Sequence, residues 1–151
     1  MPKIAMIGAG SLVFTKTLLM DMFATPTLAD SEYVLMAPTH TRLDKMEAFV
    51  KRVVADNGLS ARITATTDRR EALKDADYVI VMIKVGGNEA FAHDYNIPMK
   101  YGVDQCIGDT VGPGGVFRAL RHIPALMDIA YDMQELCPDA LMLNYANPMA
   151  M

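Results

Sequence analysis

Lys3-Ile-Ala-Met-Ile-Gly-Ala-Gly-Ser11 is the stretch that decides the fold of this chain. A short apolar strand over residues 4–7 leads into two closely spaced glycines, and a helix-like segment follows. This order is typical of the opening of a dinucleotide-binding βαβ unit. Gly8 permits the tight turn between strand and helix, and the missing side chain at Gly10 lets the backbone approach a pyrophosphate. Ser11 can add a hydroxyl donor there.

The glycine pattern is incomplete, so a simpler explanation stays open. Val13 stands where a strict G-x-G-x-x-G motif has its third glycine. A Gly-rich turn between a strand and a packed helix would need the same two glycines. Their position directly after an apolar strand favours nucleotide binding.

Length and composition restrict the class of protein. A chain of 151 residues predicts one domain with a buried core. With 21% charged residues and a net charge of -4, nothing favours nucleic acid or an anionic membrane as a partner. Apolar runs are too short to span a bilayer and no signal-peptide pattern is present, so we expect a cytoplasmic protein. Cys106 and Cys137 lack C-x-x-C spacing and are expected to be reduced thiols.

Strand and helix patterns alternate along the rest of the chain. Strands are predicted over 32–36, 62–67, 77–83 and 140–145, and helices over 11–24, 42–57, after Asp68, and over 116–137 with a kink or restart at Pro124. Residues 88–115 are rich in Gly and Pro and are predicted to be a long functional loop. The order predicts an α/β fold with a doubly wound parallel sheet, a Rossmann-like dinucleotide-binding domain over residues 1–151.

Ligands of open parallel sheets bind at the carboxyl ends of the strands. Gly86 follows the fourth strand and Asn144 ends the last strand, so both are candidate cofactor-binding residues. Asn144 and Asn147 could hold a sugar hydroxyl or the nicotinamide ribose. Alternatively, they form a turn before Pro148.

The end of the second strand bears on the choice of cofactor. An NAD-binding unit usually has an acidic residue there, because a carboxylate accepts hydrogen bonds from the adenine-ribose hydroxyls. Here the sequence from Met36 to Arg42 is Met-Ala-Pro-Thr-His-Thr-Arg, without a carboxylate. Small hydroxyls and Arg42 would tolerate a 2'-phosphate better, so NADP is an option beside NAD. Arg42 could equally be a surface residue of the following helix.

The segment from Gly108 to Gly115 combines the carboxylate of Asp109 with a backbone that few side chains obstruct. A helix cap beside a Gly-rich turn explains the same residues more simply. No residues at metal-ligand spacing accompany the histidines. Asp94 is explained as the loop partner of His93. No complete catalytic machinery is visible in the sequence.

Several segments together resemble one known family. They are Ile7-Gly-Ala-Gly-Ser11, Val85-Gly-Gly87, Ile97-Pro-Met-Lys-Tyr-Gly102, Asp109-Thr-Val-Gly-Pro-Gly-Gly115 and Asn144-Tyr-Ala-Asn-Pro-Met149. The set resembles glycoside hydrolase family 4, first its α-galactosidases and next its α-galacturonidases. The likeness extends over the whole chain. It departs from the family at Met36-Ala-Pro-Thr-His40, where the α-galactosidases typically have an aspartate-rich Met-Asp-Ile-Asp run.

The resemblance implies an NAD- and manganese-dependent hydrolysis of small glycosides by oxidation at C3, removal of the C2 proton, elimination, water addition and reduction. It assigns the pyrophosphate to Gly8, Gly10 and Ser11, substrate binding to Asn147, and to Asp109 a catalytic role in raising the basicity of a tyrosine. The metal-binding cysteine and histidine and that tyrosine belong to family segments beyond residue 151. The family often forms homo-oligomers.

From this length we expect cofactor binding without turnover of glycosides. The alternatives are a domain of a lactate- or malate-type dehydrogenase and a non-catalytic nucleotide-binding module. A dehydrogenase of that type needs arginines in its active-site loop to clamp a carboxylate, whereas residues 88–110 contain no Arg.

Overall fold

The computed structural model describes residues 1–106, 108 and 110–149. The chain divides into two compact units. The first comprises residues 1–82 and 132–143, and the second comprises residues 83–131 and those from 144 onward. The single dinucleotide-binding domain over residues 1–151 stays a prediction.

A five-stranded sheet forms the centre of the first unit. Its strands are β1 (Lys3–Ile7), β2 (Glu32–Met36), β3 (Arg62–Thr66), β4 (Tyr78–Val81) and β5 (Leu141–Asn144), the last residue of which is grouped with the second unit. The order across the sheet is β3-β2-β1-β4-β5. β1 pairs in parallel with both β2 and β4, and β2 pairs in parallel with β3. The predicted parallel α/β fold is confirmed.

The helices of the first unit show how the sheet is wound. They are α1 (Leu12–Ala24), α2 (His40–Asp56) and α3 (Arg69–Leu73). From β1 to β3, each successive strand is added on the same side of the sheet. The connection through α3 then crosses β2 and β1 to reach β4 on the other side of β1. Because such crossovers are right-handed, α1 and α2 lie on one face and α3 on the other. Accordingly, α1 contacts α2, and α3 contacts β1 and β2. The strand order reverses beside β1, where open sheets bind their ligands.

The core of the first unit lies between the sheet and the pair α1 and α2. Its larger members are Ile4, Met6, Leu19, Phe23, Tyr33, Leu35, Leu43, Met46, Val50, Ile63, Ile80 and Met82. The rings of Phe23 and Tyr33 meet edge to face with centroids 5.3 Å apart, a geometry worth about 1 kcal/mol beyond the buried area. Residues Val79 to Val81 of β4 are all buried, as the unbroken apolar run predicts for a strand covered on both faces.

The second unit contains α4 (Gly87–Lys100) and most of α5 (Pro113–Leu136). The predicted long loop over 88–115 is therefore wrong for its first half. Pro98 suggested a loop, because proline has no N–H to donate to the carbonyl four residues before it. In α4 that carbonyl belongs to Asp94, and the Nε2 of Gln105 donates to it at 2.9 Å instead. A distant side chain thus replaces the missing donor.

Other element boundaries differ only slightly from the predictions. α5 begins three residues before the predicted start, with Pro113 in its first position, where proline is well tolerated. The helix does not restart at Pro124. α2 begins at His40, two residues before the predicted start. Within the described residues, no helix has both the length and the apolar character needed to cross a membrane.

Two arginines of α3 form an ionic cluster with Asp132 of α5. The helix predicted after Asp68 is α3, and the side chain of Asp68 caps it, since it accepts hydrogen bonds from the backbone N–H groups of Arg70 and Glu71. Arg69 Nε and Arg70 Nη1 donate to the carboxylate of Asp132 at 2.6 and 2.7 Å. Burial by itself would raise the pKa of Asp132, but the hydrogen bonds from the two arginines lower it below its usual range.

Candidate functional site

The glycine loop after β1 is tied to the end of β2. The backbone N–H groups of Gly8 and Ala9 both donate to the carbonyl of Met36, at 2.9 and 2.8 Å. Gly8 has a φ of 98°, in the left-handed region that favours glycine. The fold itself therefore requires glycine at position 8.

Gly10 differs from Gly8, because the fold does not require glycine there. Its φ is not in the left-handed region. A Cβ added at Gly10 would lie 3.6 Å from the Cβ atoms of both Ala37 and Arg42, which is ordinary van der Waals contact. The protein thus leaves room for a Cβ atom just before the start of α1. A pyrophosphate approaching the backbone would need this space.

Ser11 is the residue directly before α1, and its side chain makes no capping hydrogen bond to the described part of the chain. The Ser11 hydroxyl therefore does not cap α1. Thr15, one turn further along, is fully buried, and its hydroxyl donates to the carbonyl of Ala9 at 3.1 Å. This bond holds the backbone of the glycine loop at Ala9. Thr15 was not predicted, although a lone hydroxyl residue on an apolar helix face was a usable signal in the sequence.

The end of β2 lies beside the glycine loop. Ala37 is buried, and Arg42 is exposed in the first turn of α2. The Cβ atoms of Ala37 and Arg42 both lie near Gly10. Four predicted cofactor-binding residues therefore lie in one part of the first unit, namely Gly8, Gly10, Ser11 and Arg42. Their role in binding is not tested by this arrangement and stays a prediction.

Gly86, in the second unit, has a structural explanation of its own. It precedes α4 with a φ of 79°, and a Cβ added there would lie only 2.5 Å from the Cβ of Ala90. Both the backbone conformation and the lack of space demand glycine. The predicted contact of Gly86 with the cofactor is neither supported nor opposed by this geometry.

The predicted residues after β5 take part in local hydrogen bonds. Asn144 Oδ1 accepts from the backbone N–H of Ala146 at 2.9 Å, which is the turn-forming role given as the alternative. The hydroxyl of Thr110 donates to Asn147 Oδ1 at 3.1 Å. Asp109 lies outside the described residues, so its predicted catalytic position is not tested. Its neighbour Thr110 nevertheless links this segment to Asn147.

Asp94 is a buried residue of α4, not a loop partner of His93. The helix turns successive side chains by about 100°, and Asp94 is only 2% exposed whereas His93 is exposed. Arg121 donates two hydrogen bonds of 2.6 Å to the Asp94 carboxylate. These bonds raise the pKa of the Arg121 guanidinium further above its usual value. The sequence prediction failed because it placed Asp94 in a loop.

Gln105 organises the glycine-rich segment of the second unit. Its Oε1 accepts from the backbone N–H of Gly114 at 3.4 Å, while its Nε2 binds the Asp94 carbonyl. A Cβ at Gly114 would lie 2.6 Å from the carbonyl oxygen of Gly108, and one at Gly108 would overlap the Gln105 side chain. Packing therefore requires glycine at position 114, whereas a side chain at position 108 would displace the Gln105 amide. Gln105 was not predicted, because nothing in the local sequence pattern reveals these distant partners.

His122 is a buried structural histidine of α5. Its Nε2 accepts from the backbone N–H of Val85 at 3.2 Å, and its Nδ1 then donates to the carbonyl of Arg118 at 2.8 Å. Burial lowers the pKa of His122, which favours this neutral form. The histidine thereby holds the residue that precedes Gly86. Among the described residues, no three His, Cys, Asp or Glu side chains lie close enough to hold a metal ion.

Comparison with known proteins extends these observations. The family model described as "Family 4 glycosyl hydrolase" matches residues 3–151. An alpha-galactosidase of Rhizobium meliloti (strain 1021) is 49% identical over 150 residues, which cover 99% of this chain and 31% of that protein. An alpha-galactosidase of Bacillus subtilis (strain 168) is 46% identical over 151 residues, covering 99% and 35%. The chain thus spans about a third of the length of these relatives.

A solved structure shows the same fold. The 6-phospho-beta glucosidase from Thermotoga maritima, with manganese, NAD+ and glucose-6-phosphate, has a TM-score of 0.86 and 28% identity, covering 96% of this chain and 34% of that chain. These matches favour the glycosidase resemblance over the dehydrogenase alternative. Since the family model matches every residue from the start of β1 to residue 151, the chain belongs to the family 4 glycosyl hydrolases.

Proposed function

We propose that this chain is the cofactor-binding part of an NAD- and manganese-dependent glycosidase that hydrolyses α-galactosides. The observation that carries the substrate class is the 49% identity with the Rhizobium meliloti alpha-galactosidase over 150 residues. The alpha-galacturonidase of Thermoanaerobacter italicus is 37% identical over the same length, so galactosides are favoured over galacturonides.

The glycine loop of the first unit fits a dinucleotide. Neither a positive φ nor a close neighbour requires glycine at position 10, so the missing side chain leaves an open space at the amino end of α1. Backbone N–H groups of the loop and the Ser11 hydroxyl would donate hydrogen bonds to a pyrophosphate in this space. Thr15 keeps the loop in place by holding the Ala9 carbonyl. A bound nicotinamide would supply a hydride acceptor, the chemistry that oxidation of a sugar at C3 needs.

Asn147 is the proposed substrate-binding residue. The hydrogen bond from Thr110 to Asn147 Oδ1 fixes the orientation of the amide. A fixed amide is suited to sugar hydroxyls, since it offers both a donor and an acceptor. Asp109, Asn144 and Gly86 keep the roles that were predicted for them as parts of this proposal.

Manganese does not fit the described residues, which provide no cluster of three ligating side chains. Under the proposal, the residues that bind the metal correspond to segments of the relatives that this chain does not cover. The described residues therefore contribute cofactor and substrate binding, and no step that depends on the metal is assigned to them.

Calorimetric titration of this chain with NAD tests the first half of the proposal. We expect saturable binding. We expect Gly10→Val to abolish it without changing the circular-dichroism spectrum, because the fold has room for a Cβ at this position, whereas a pyrophosphate in contact with the backbone leaves none. Ala55→Val, on the exposed end of α2, adds similar bulk away from the loop and should leave the affinity unchanged. Equal affinity of the Gly10→Val variant and the unaltered chain would refute the assignment of the loop.

A chimera tests the substrate class. Residues 1–151 replace the corresponding third of the Rhizobium meliloti alpha-galactosidase, and hydrolysis of p-nitrophenyl α-galactoside, α-galacturonide and α-glucoside is measured with NAD and Mn²⁺. We expect kcat/KM for the galactoside to exceed the others by about tenfold or more. Preference for the galacturonide would reassign the substrate. A folded chimera that binds NAD but hydrolyses none of the three would support the non-catalytic module.

A further inference from the structure

We propose that the cofactor site of this chain accepts a 2'-phosphate recognised by Arg42, so that NADP binds at least as tightly as NAD. This inference rests on the proposed dinucleotide site of the first unit and adds a specificity that the proposed function does not contain.

The location of the adenine ribose follows from the fold. In a sheet of this type the ribose hydroxyls lie at the carboxyl end of the second strand. Here that end is held against the glycine loop, because the carbonyl of Met36 accepts hydrogen bonds from both Gly8 and Ala9. A dinucleotide whose pyrophosphate contacts Gly10 therefore places its ribose beside residues 37–42.

No carboxylate is present at this point to prefer NAD. Residue 37, directly after β2, is a buried alanine, and residues 38–41 are Pro-Thr-His-Thr. The next carboxylate along the chain is that of Asp44, which is exposed and lies 3.0 Å from Nδ1 of His40. No carboxylate in residues 37–41 therefore binds the ribose hydroxyls or repels a phosphate on one of them.

Arg42 supplies the positive charge. Its Cβ would lie 3.6 Å from a Cβ on Gly10, so the stem of the side chain starts beside the glycine loop. The residue is exposed, and within the described residues its guanidinium makes no hydrogen bond or ion pair. An unpaired guanidinium can bind a phosphate with two parallel hydrogen bonds. Thr39, whose side chain makes no capping bond to the described residues, offers a further hydroxyl.

Calorimetric titrations of the chain with NAD and with NADP measure this specificity. The unaltered chain should bind NADP at least as tightly as NAD. Arg42→Ala should weaken NADP binding by about 10- to 100-fold, the effect of losing a charge-assisted pair of hydrogen bonds, and change NAD binding by less than about threefold. Ala37→Asp, which places a carboxylate beside Gly10, should weaken NADP and strengthen NAD.

Arg52→Ala is the matched control. It removes an exposed arginine from the same helix about 15 Å away along the axis, and both affinities should be unchanged. Thermal unfolding followed by circular dichroism establishes that each variant is folded.

The outcomes separate the two proposals. NAD binding much tighter than NADP binding overturns this inference and leaves the proposed function intact. Tight NADP binding that Arg42→Ala does not weaken overturns the assignment to Arg42. Binding of neither nucleotide overturns the proposed function together with the inference.

Discussion

Arg121 on α5 holds the carboxylate of Asp94 on α4 with two hydrogen bonds of 2.6 Å. The Asp94 side chain is 3% exposed and that of Arg121 is 30% exposed, so this acid has been taken almost completely out of water. The carbonyl of Asp94 also binds Gln105, which in turn contacts Gly114. One residue therefore links the two helices of the second unit to its glycine-rich segment.

Arg121→Ala is expected to destabilise the protein strongly, because it leaves a buried carboxylate without its partner. Removal of one member of a buried pair costs about 3 kcal/mol of unfolding free energy, which urea denaturation followed by circular dichroism can measure. As a control, Glu47→Ala breaks the exposed 2.7 Å pair with Lys51 and should cost less than about 0.5 kcal/mol. Similar losses in the two variants would contradict the importance of the buried pair.

The fold of the first unit was predictable because its signals are local. An apolar run that ends in Gly8 specifies β1 and its turn, and the Glu32–Met36 strand was predicted with its observed ends. The second unit was not predictable in this way. Pro98 and the following glycines predict a loop, and only the three-dimensional contact with Gln105 explains how a helix contains that proline.

The candidate site shows a similar limit. Gly10 and Gly86 were both predicted to bind the cofactor, because glycine at the end of a strand suits that role. The structure distinguishes them, since Gly86 is demanded by a φ of 79° and by the nearness of Ala90, whereas nothing of the kind demands Gly10. A sequence does not reveal whether a glycine is needed for backbone conformation or for open space.

The contact between Gly86 and Ala90 can be tested against a matched glycine. Gly87 has a similar φ of 61°, but a Cβ added there meets nothing within 4 Å. Gly87→Ala should therefore lose only about 1–2 kcal/mol of unfolding free energy to backbone strain, and Gly86→Ala should lose about 1–3 kcal/mol more through overpacking. In an Ala90→Gly background the two substitutions should cost the same. A difference that persists in that background would show that another contact is responsible.

Stability should fall in mild acid because of His122. Burial lowers the pKa of this side chain in the folded state, so the unfolded chain binds the proton first. The contribution of the neutral histidine is fully present above the unfolded pKa of about 6.5 and is lost as the pH falls through the lower folded pKa. Urea denaturation at a series of pH values from 8 downward measures this loss.

His122→Gln identifies the source of that pH dependence. It should lower the unfolding free energy at pH 8, because it disturbs the bonds to Val85 and Arg118, and it should flatten the decline below pH 6.5. His93→Gln, an exposed substitution on α4, should leave the decline in place. An unchanged decline in the His122→Gln variant would assign the effect to other groups.

Thr15 connects the stability of the glycine loop to its proposed role. Thr15→Val keeps the shape of the side chain but removes the hydroxyl that donates to the Ala9 carbonyl at 3.1 Å. An unsatisfied buried carbonyl should cost about 1–3 kcal/mol of unfolding free energy. Because the same bond fixes the loop, the variant should also bind NAD several-fold more weakly in calorimetric titration, and Thr15→Ser should restore most of the affinity.

Thr17→Val provides the control for this prediction, since Thr17 is an exposed residue of the same helix. It should alter neither stability nor NAD affinity. If Thr15→Val loses stability but binds NAD like the unaltered chain, the bonds from Gly8 and Ala9 to Met36 are sufficient to shape the loop. If Thr15→Ser has the stability and NAD affinity that Thr15→Val loses, the buried hydroxyl is what keeps the glycine loop in the conformation that leaves space at Gly10.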